Sequence, residues 1–459
     1  MEINNVVDNN GVSYQILRRI GEGSQGETFL LDGGEHIVKL FKNAINETGL
    51  KSTISFLIKL DLDKQLYSVP KKEIVSPKCG YISEFASGMS PLSDLMTASK
   101  NMDFETWFKE SGGLLKRYGV LIKLASAIRS LHAKGLVYCD LSPNNVFISS
   151  NPNKHSVFLI DMDNLRYKTS IIHNIYTPFY GAPEVVKNLA PNTTMSDCYS
   201  FSVLAYKLLT FSHPLIGDMV NNGEPEIEDR ALMGEFPWVE DPMDDCNHRE
   251  TGLTSSLFVS NKLMDLFHRT FEGGLKDPMK RPTMAEWVDS LNDALNDLLL
   301  CKKCGIHYLY NNHKHCPFCD SEPILLTALK IQRWEEEEFY NQALNSVESR
   351  FSLQPIIFDK IIIDCNTPKY IKSVHLLSSG NDENLPIARL QLEPLGDGSN
   401  FARLIISPLN ESKLFFMIPE LNINDIIERE KRFKFNPLSH KTMIIGAQEF
   451  TFPQRVLVI

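Results

Sequence analysis

Three observations predict an α+β fold spread over several domains. Residues 14–41 alternate apolar and polar positions in short blocks broken by glycines, as half-buried strands do. From about residue 114 apolar positions recur at helical spacing instead, and helical patterns dominate to about residue 300. Beyond two Cys-x-x-Cys pairs the chain returns to short apolar blocks separated by Gly, Asn, Asp and Pro, which reads as a β-rich end.

Composition narrows the function. At 459 residues, 43% hydrophobic and 23% charged, the chain suits two or three ordinary globular domains. No apolar run reaches the ~18–20 residues of a membrane span. The start, MEINNVVDNNG, lacks a basic-then-apolar leader pattern, so a cytoplasmic location and no membrane partner are expected. A net charge of −10 argues against a nucleic-acid partner, which calls for a surplus of Lys and Arg. Of nine cysteines, Cys79, Cys139, Cys198, Cys246 and Cys365 are scattered, which does not suit a disulfide framework.

In chain order, the blocks YQILRRI and ETFLLD flank Gly21-Glu22-Gly23-Ser24-Gln25-Gly26. This is a strand–turn–strand, in which glycines let the backbone approach a phosphate. Taken alone it is equally a hairpin turn. Lys39 follows inside the apolar strand HIVKLF, where a lysine needs a phosphate or carboxylate nearby unless it reaches water at a sheet edge. Residues 44–66 show a helical face of Leu50, Ile54, Leu57, Ile58 and Leu62, and residues 81–85 read as a strand. A helix over about 114–132 places Leu121, Leu124, Ala125, Ile128 and Leu131 on one face, a core pattern without chemistry.

The next stretch carries the chemistry. VYCDLSPNNVFI and VFLIDMDN each run apolar residues into a lone aspartate, Asp140 and Asp161. A carboxylate at the end of a buried strand is costly without a partner. With Asn145 on the same loop as Asp140, the set can hold Mg²⁺ on a phosphate and orient a hydroxyl. Either half alone reads as readily as an aspartate capping a turn. A segment TPFYGAPEV, a helix over 198–210, an acidic and loop-rich stretch over 216–254, and two further helical patterns follow. Thr283 and Glu286 form a capping-box pair for the last of them.

Cys301, Cys304, Cys316 and Cys319 make two CxxC turns eleven residues apart. Two such turns complete a tetrahedral sulfur cage, so a structural Zn²⁺ is expected, with His307, His313 and His315 as exposed loop residues. Residues 331–351 read as a charged helix in which Glu335 to Glu338 form a solvated face, followed by strand-like blocks to the end.

Assembled in this order, the motifs over 14–300 resemble the eukaryotic-type Ser/Thr protein kinase domain in its bacterial form. The resemblance implies a bilobal protein-kinase fold, with an N-lobe over about 14–86 and a C-lobe over about 87–300. Residues 1–13 would be an extension, 301–320 a zinc ribbon and 321–459 a helix plus β-rich domain. It implies ATP and Mg²⁺ as cofactors. Gly21, Gly23 and Gly26 would cover the phosphates, Lys39 would bind them, and the backbone of Glu84 and Ala86 would meet adenine. Asp140 would take the substrate hydroxyl's proton, while Asn145 and Asp161 would hold Mg²⁺. Asp197 would support the catalytic loop, and Arg281 would pair with Glu184 of GAPE.

The acidic insertion, KDPMKRPT and the ribbon resemble a bacterial group found beside a von Willebrand factor A-type protein and a metal-dependent protein phosphatase. These become expected partners besides a protein substrate. Asp241, Asp244 and Asp245 of the insertion read as a solvated acidic loop.

Three departures from the family pattern carry consequences. Cys139 stands where an arginine usually reads a phosphorylated activation loop, so weak dependence on such phosphorylation is expected. Ser142 stands for a lysine on the γ-phosphate, and Asp163 for the glycine of the metal motif. The helix after Lys39 has no glutamate at the usual place; Glu47, which comes early, is the candidate partner. A kinase acting on protein Ser/Thr hydroxyls is the expected function; the alternative is a pseudokinase scaffold that binds nucleotide and recruits partners.

Overall fold

The computed structural model describes residues 3–23, 26–42, 47–98, 101–167, 174–323, 327–334, 356–363, 368–372, 376, 386–395, 402–418, 423–435, 443–446 and 454–458. It divides into two compact units, Met1–Ser255 with Lys262–Leu291, and Ser256–Asn261 with Asn292–Ile459.

The first unit begins with a closed barrel. Strands β1 (Asn5–Asp8), β2 (Ser13–Glu22), β3 (Gly26–Leu31), β4 (His36–Phe41), β5 (Lys72–Ser76) and β6 (Gly80–Glu84) close in the order β1-β2-β3-β4-β6-β5. Val6, Leu31, Val38, Leu40, Ile74 and Ile82 fill its core. The expected boundary at residue 14 is therefore corrected: β1 belongs to the barrel, because Val6 is fully buried between β2 and β5. Asp8, 1% exposed, ends β1 by accepting the N–H groups of Asn10 and Val12 at 2.9 and 2.8 Å and the Tyr14 hydroxyl at 2.9 Å. Helix α1 (Glu47–Lys59) is shorter than the 44–66 expected. Its inner face is Ile54 and Leu57; Ile58, expected with them, is exposed.

The helical lobe is built on α3 (Gly113–Ala133), preceded by β7 (Met89–Pro91) and α2 (Phe104–Glu110). Leu121, Leu124, Ala125, Ile128 and Leu131 of α3 are all buried, as their spacing predicts. Asp103 caps α2 by accepting the Thr106 N–H at 2.9 Å. Four short strands follow: β8 (Leu136–Val137), β9 (Val146–Ser149), β10 (Val157–Leu159) and β11 (Arg166–Tyr167). β9 pairs antiparallel with β7 and β10, and β8 with β11, which fixes the ends of the loops carrying Asp140 and Asp161.

Helices α4 (Pro183–Val186) and α5 (Thr194–Thr210) come next, α5 opening on a Thr193/Ser196 capping box. The insertion is less loop-like than expected, since α6 (Asp218–Asn221) and α7 (Pro225–Leu232) lie in it. Glu224-Pro225 supplies a proline at the first helical turn, where its missing N–H costs nothing. Thr283 and Glu286 make the expected reciprocal cap on the helix Met284–Asn296.

In the second unit, β12 (Leu298–Leu300) pairs with β13 (His307–Leu309). Strands β14 (Thr327–Trp334), β15 (Ile356–Ile363), β16 (Lys369–Lys372), β17 (Pro386–Pro394), β18 (Ala402–Pro408), β19 (Leu414–Ile418), β20 (Ile423–Ile427), β21 (Lys431–Phe435), β22 (Ile444–Gly446) and β23 (Gln454–Val458) follow. They form a six-stranded sheet, β15-β14-β23-β22-β19-β20, and a four-stranded sheet, β16-β17-β18-β21. Leu390, Leu392, Leu404, Ile406 and Phe416 lie in the core these strands share.

Two expectations change here. Residues 331–334, read as the start of a charged helix, are strand, because they pair with both β15 and β23; residues 335–351 lie outside the described residues. The compact first unit ends at Leu291 rather than 300. The expected block 373–379 lies outside the described residues apart from Leu376. Among the described residues no helix is long and apolar enough to cross a membrane.

Candidate active site

Strand pairing sets Lys39 of β4 directly opposite Tyr81 of β6. Lys39 is 7% exposed, and its Nζ meets Asp161 Oδ1 at 2.9 Å and Asp163 Oδ1 and Oδ2 at 3.0 and 3.3 Å. The Tyr81 hydroxyl donates to Asp163 Oδ1 at 3.2 Å. Burial opposes the Lys39 charge, but Asp163 and then Asp161 outweigh it and hold the ammonium's pKa above the ordinary value. Burial raises the Asp161 carboxyl against the pull of Lys39, with the Asp163 charge adding to the rise. Burial, then the Asp163 charge, pushes the Tyr81 phenol well above its usual range. The side chain of Glu47, the expected partner of Lys39, lies outside the described residues.

The loop after β8 is pinned from below. Asp197, 1% exposed on α5, accepts the N–H groups of Tyr138 at 2.8 Å and Cys139 at 3.0 Å, and lies 3.0 Å from His132 Nε2. This anchors Cys139 at φ 74°, a left-handed conformation that a non-glycine residue holds only under constraint. Cys139 itself is buried, and burial raises its thiol pKa, so it is a packing residue and not a nucleophile.

Asp140 follows at once. Its Oδ1 accepts the Thr177 hydroxyl at 2.6 Å; its Oδ2 accepts Asn145 Nδ2 at 3.1 Å and Asn164 Nδ2 at 3.4 Å. Asn145 Nδ2 also donates to the Asp140 carbonyl at 2.9 Å. The Ile160 N–H donates to the Asn145 carbonyl at 3.0 Å, so the two aspartate segments are stitched together just before Asp161.

Lys39 and Asp161 line a cavity of about 300 Å³, together with Gly21, Thr28, Glu84, Phe85 and Ala86. That volume is at the lower end of the range for small-molecule sites. Of the three glycines expected over phosphate, Gly21 lines the cavity and Gly23 donates its N–H to the Gly26 carbonyl at 2.9 Å. Gly26 has a structural reason to be glycine: a Cβ there would sit 2.5 Å from the Leu40 carbonyl oxygen. Ser24 and Gln25, the tip of the turn, lie outside the described residues.

The segment beyond Asp161 is fixed by polar contacts. Asn192, 3% exposed, donates to the carbonyls of Ile175 at 2.8 Å and Cys139 at 3.3 Å and accepts the Ile175 N–H at 2.9 Å. Arg281, 1% exposed, pairs bidentately with Glu184, both bonds at 2.7 Å, as the resemblance implies. Ser142 is 2% exposed, and its carbonyl accepts the Asn145 N–H at 3.1 Å.

Sequence reading missed Tyr81, Asn164 and Asn192, and it placed no partner on Asp163. Only Tyr81 had a signal, a polar-tipped aromatic inside a strand that pairs with the lysine strand.

In the second unit the Sγ atoms of Cys301, Cys304, Cys316 and Cys319 all lie within 4.8 Å of one another. Ser321 Oγ is 3.0 Å from Cys301 Sγ and 3.2 Å from Cys319 Sγ. Against burial, the Ser321 hydroxyl and the Cys304 N–H hold the Cys301 thiol down to about 6. A four-sulfur set of this compactness fits Zn²⁺ and leaves no position open. Of the histidines read as exposed, His315 is exposed, whereas His307 lies in β13 and burial lowers its pKa to about 4; His313 Nε2 sits 2.9 Å from the Ser256 carbonyl.

A barrel lobe, a helical lobe and a cleft with this lysine and these aspartates define the bilobal architecture of the protein kinase domain, and residues 73–291 match the sequence model of that domain. The matched span holds Asp140, Asn145, Asp161, Glu184 and Arg281; Lys39 and the glycine turn precede it and join the site by geometry. The serine/threonine-protein kinase pkn2 of Myxococcus xanthus is 28% identical over 301 residues, covering 61% of this chain and 32% of that protein. The serine/threonine-protein kinase PknD of Protochlamydia amoebophila is 25% identical over 301 residues, covering 56% and 28%. The serine/threonine-protein kinase dkf-2 of Caenorhabditis briggsae is 30% identical over 132 residues, covering 26% and 10%. The chain thus matches a third or less of the length of each of these relatives.

Proposed function

We propose that the chain is a protein kinase that transfers the γ-phosphate of Mg·ATP to Ser or Thr hydroxyls of a protein. The observation carrying this reading is the meeting of the two aspartate segments beside one cleft, with Asn164 reaching Asp140 while Asp161 meets Lys39. Asp140 Oδ1 already accepts a hydroxyl, that of Thr177, which supports its reading as the oxygen that receives the substrate's proton. Lys39 binds nucleotide phosphate, and Glu84 and Ala86 offer backbone groups to adenine at the far side of the cavity. Asn145 and Asp161 hold Mg²⁺, which supplies neutralising charge to the phosphates.

The activation segment depends little on phosphorylation in this reading, because Asn192 ties Ile175 to the catalytic loop with neutral bonds where a phosphate–arginine pair would otherwise act. The four cysteines hold a structural Zn²⁺. The sequence resemblance of the insertion and ribbon supports a von Willebrand factor A-type protein and a metal-dependent phosphatase as partners.

Purified protein incubated with labelled Mg·ATP and a mixed protein acceptor tests the reading. Label on protein from the parent, and none from Asp140→Asn or Asp161→Ala, is the expected result. Nucleotide binding without transfer, unchanged by Asp140→Asn, would replace it with the scaffold reading, which the buried Ser142 in place of a phosphate-contacting lysine favours.

A further inference from the structure

Two carboxylates meet Lys39, and they differ in surroundings. The Asp161 side chain is 38% exposed, facing the cleft, whereas that of Asp163 is 5% exposed. Both oxygens of Asp163 reach Nζ, and the Tyr81 hydroxyl, across the strand register from Lys39, fixes one of them. The turn Met162–Asn164 brings Asp163 there. Among the described side chains of α1, none is acidic and the buried ones are Ile54 and Leu57.

We infer that Asp163 is the positioning residue for Lys39, holding the ammonium where nucleotide phosphates arrive. The inference rests on the kinase reading above. A buried ammonium needs counter-charge and hydrogen bonds to stay in one place. With nucleotide bound, a phosphate oxygen would take the place of Asp161 on Lys39 Nζ, and Asp161 would be left to hold the cation. Asp163, away from water and braced by Tyr81, keeps Nζ in place throughout. Its burial separates it from the metal-facing carboxylate.

The full chain is prepared as parent, Asp163→Asn, Lys39→Met and the double variant, with Tyr81→Phe, alone and with Lys39→Met, as a milder probe. Each is melted and assayed for transfer over a range of Mg²⁺. Asp163→Asn is expected to lower kcat about tenfold or more and Tyr81→Phe by less. The Mg²⁺ needed for half the maximal rate stays unchanged, and neither substitution costs more than about twofold further once Lys39 is Met. Melting shifts of Asp163→Asn and Lys39→Met are likewise non-additive. Losses that multiply in transfer and add in melting would overturn the inference. So would a raised Mg²⁺ requirement in Asp163→Asn, which would make Asp163 a metal ligand. If the parent transfers no phosphate, the kinase reading fails, and the melting cycle alone decides whether Asp163 and Lys39 act as a pair. If Asp163→Asn does not fold, Tyr81→Phe against Lys39→Met makes the same comparison.

Discussion

Thr177 donates its hydroxyl to Asp140 Oδ1 at 2.6 Å, tying the segment before Gly181 to the Asp140 carboxylate. Its place on Asp140 gives Thr177 a part in positioning that carboxylate. A hydrogen bond to a charged group contributes about 1.5–3 kcal/mol. Thr177→Ala should therefore lower kcat by about tenfold or more, while Thr177→Ser stays near the parent. Thr177→Glu should be at least as impaired as Thr177→Ala, since it sets a second negative charge against Asp140. Equal rates for all three variants in the labelled-ATP assay would remove Thr177 from the site.

Asn192, itself buried, makes three bonds to Ile175 and Cys139, the one to Cys139 buried. Asn192→Ala leaves buried backbone groups unpaired, at a cost of about 1–3 kcal/mol. Denaturant unfolding should show that loss, and transfer should fall in protein pretreated with a phosphatase. Parent protein given the same pretreatment should keep its rate. A parent inactivated by the phosphatase would mean that phosphate, and not Asn192, organises the segment.

His213 gives the fold an acid limit. It is 7% exposed, its Nδ1 accepts the Leu215 N–H at 3.1 Å, and its Nε2 donates to the Phe179 carbonyl at 2.8 Å. Only a neutral ring makes both bonds. Burial lowers its pKa from 6.5 to about 3. Between those values the unfolded chain binds the extra proton, so stability is complete above pH 6.5 and is lost as pH falls toward 3. The loss from this group on going to pH ~5.5 is about 1.4 kcal/mol. Unfolding at pH ~7.5 and ~5.5 should show a smaller pH dependence in His213→Gln. An unchanged dependence would clear His213 of this effect.

The four cysteines predict a bound metal. Elemental analysis of the purified chain should find about one zinc per molecule, and Cys316→Ser should abolish it. A metal-free parent with four titratable thiols would leave the sulfur cluster as packing only.

Asp140, Asn145 and Asp161 were legible in the sequence because each sits where an apolar run meets a turn, and Lys39 because a lysine inside an apolar strand stands out; both signals survive without coordinates. The partners were not. Asp163 and Tyr81 meet through strand register and one short turn, neither of which leaves a periodic trace. Asn192 was invisible because a polar residue in a loop looks the same whether it is buried or wet. β1 was overlooked because four residues between polar flanks show too little alternation, although Val6 is fully buried. Residues 331–334 were drawn into a helix by the glutamates that follow them, whereas pairing to strands on both sides decided their conformation. Local propensity lost there to contacts distant in sequence.

The closed barrel also bears on how this lobe meets other proteins. With β1 seated between β2 and β5, the sheet closes and leaves no terminal strand among the described residues. A peptide therefore has no ladder of backbone groups to extend, and addition of a strand from outside is closed to this part of the molecule. Recognition at the barrel must run through side chains, which can change one at a time without disturbing the hydrogen-bonded frame that carries Lys39.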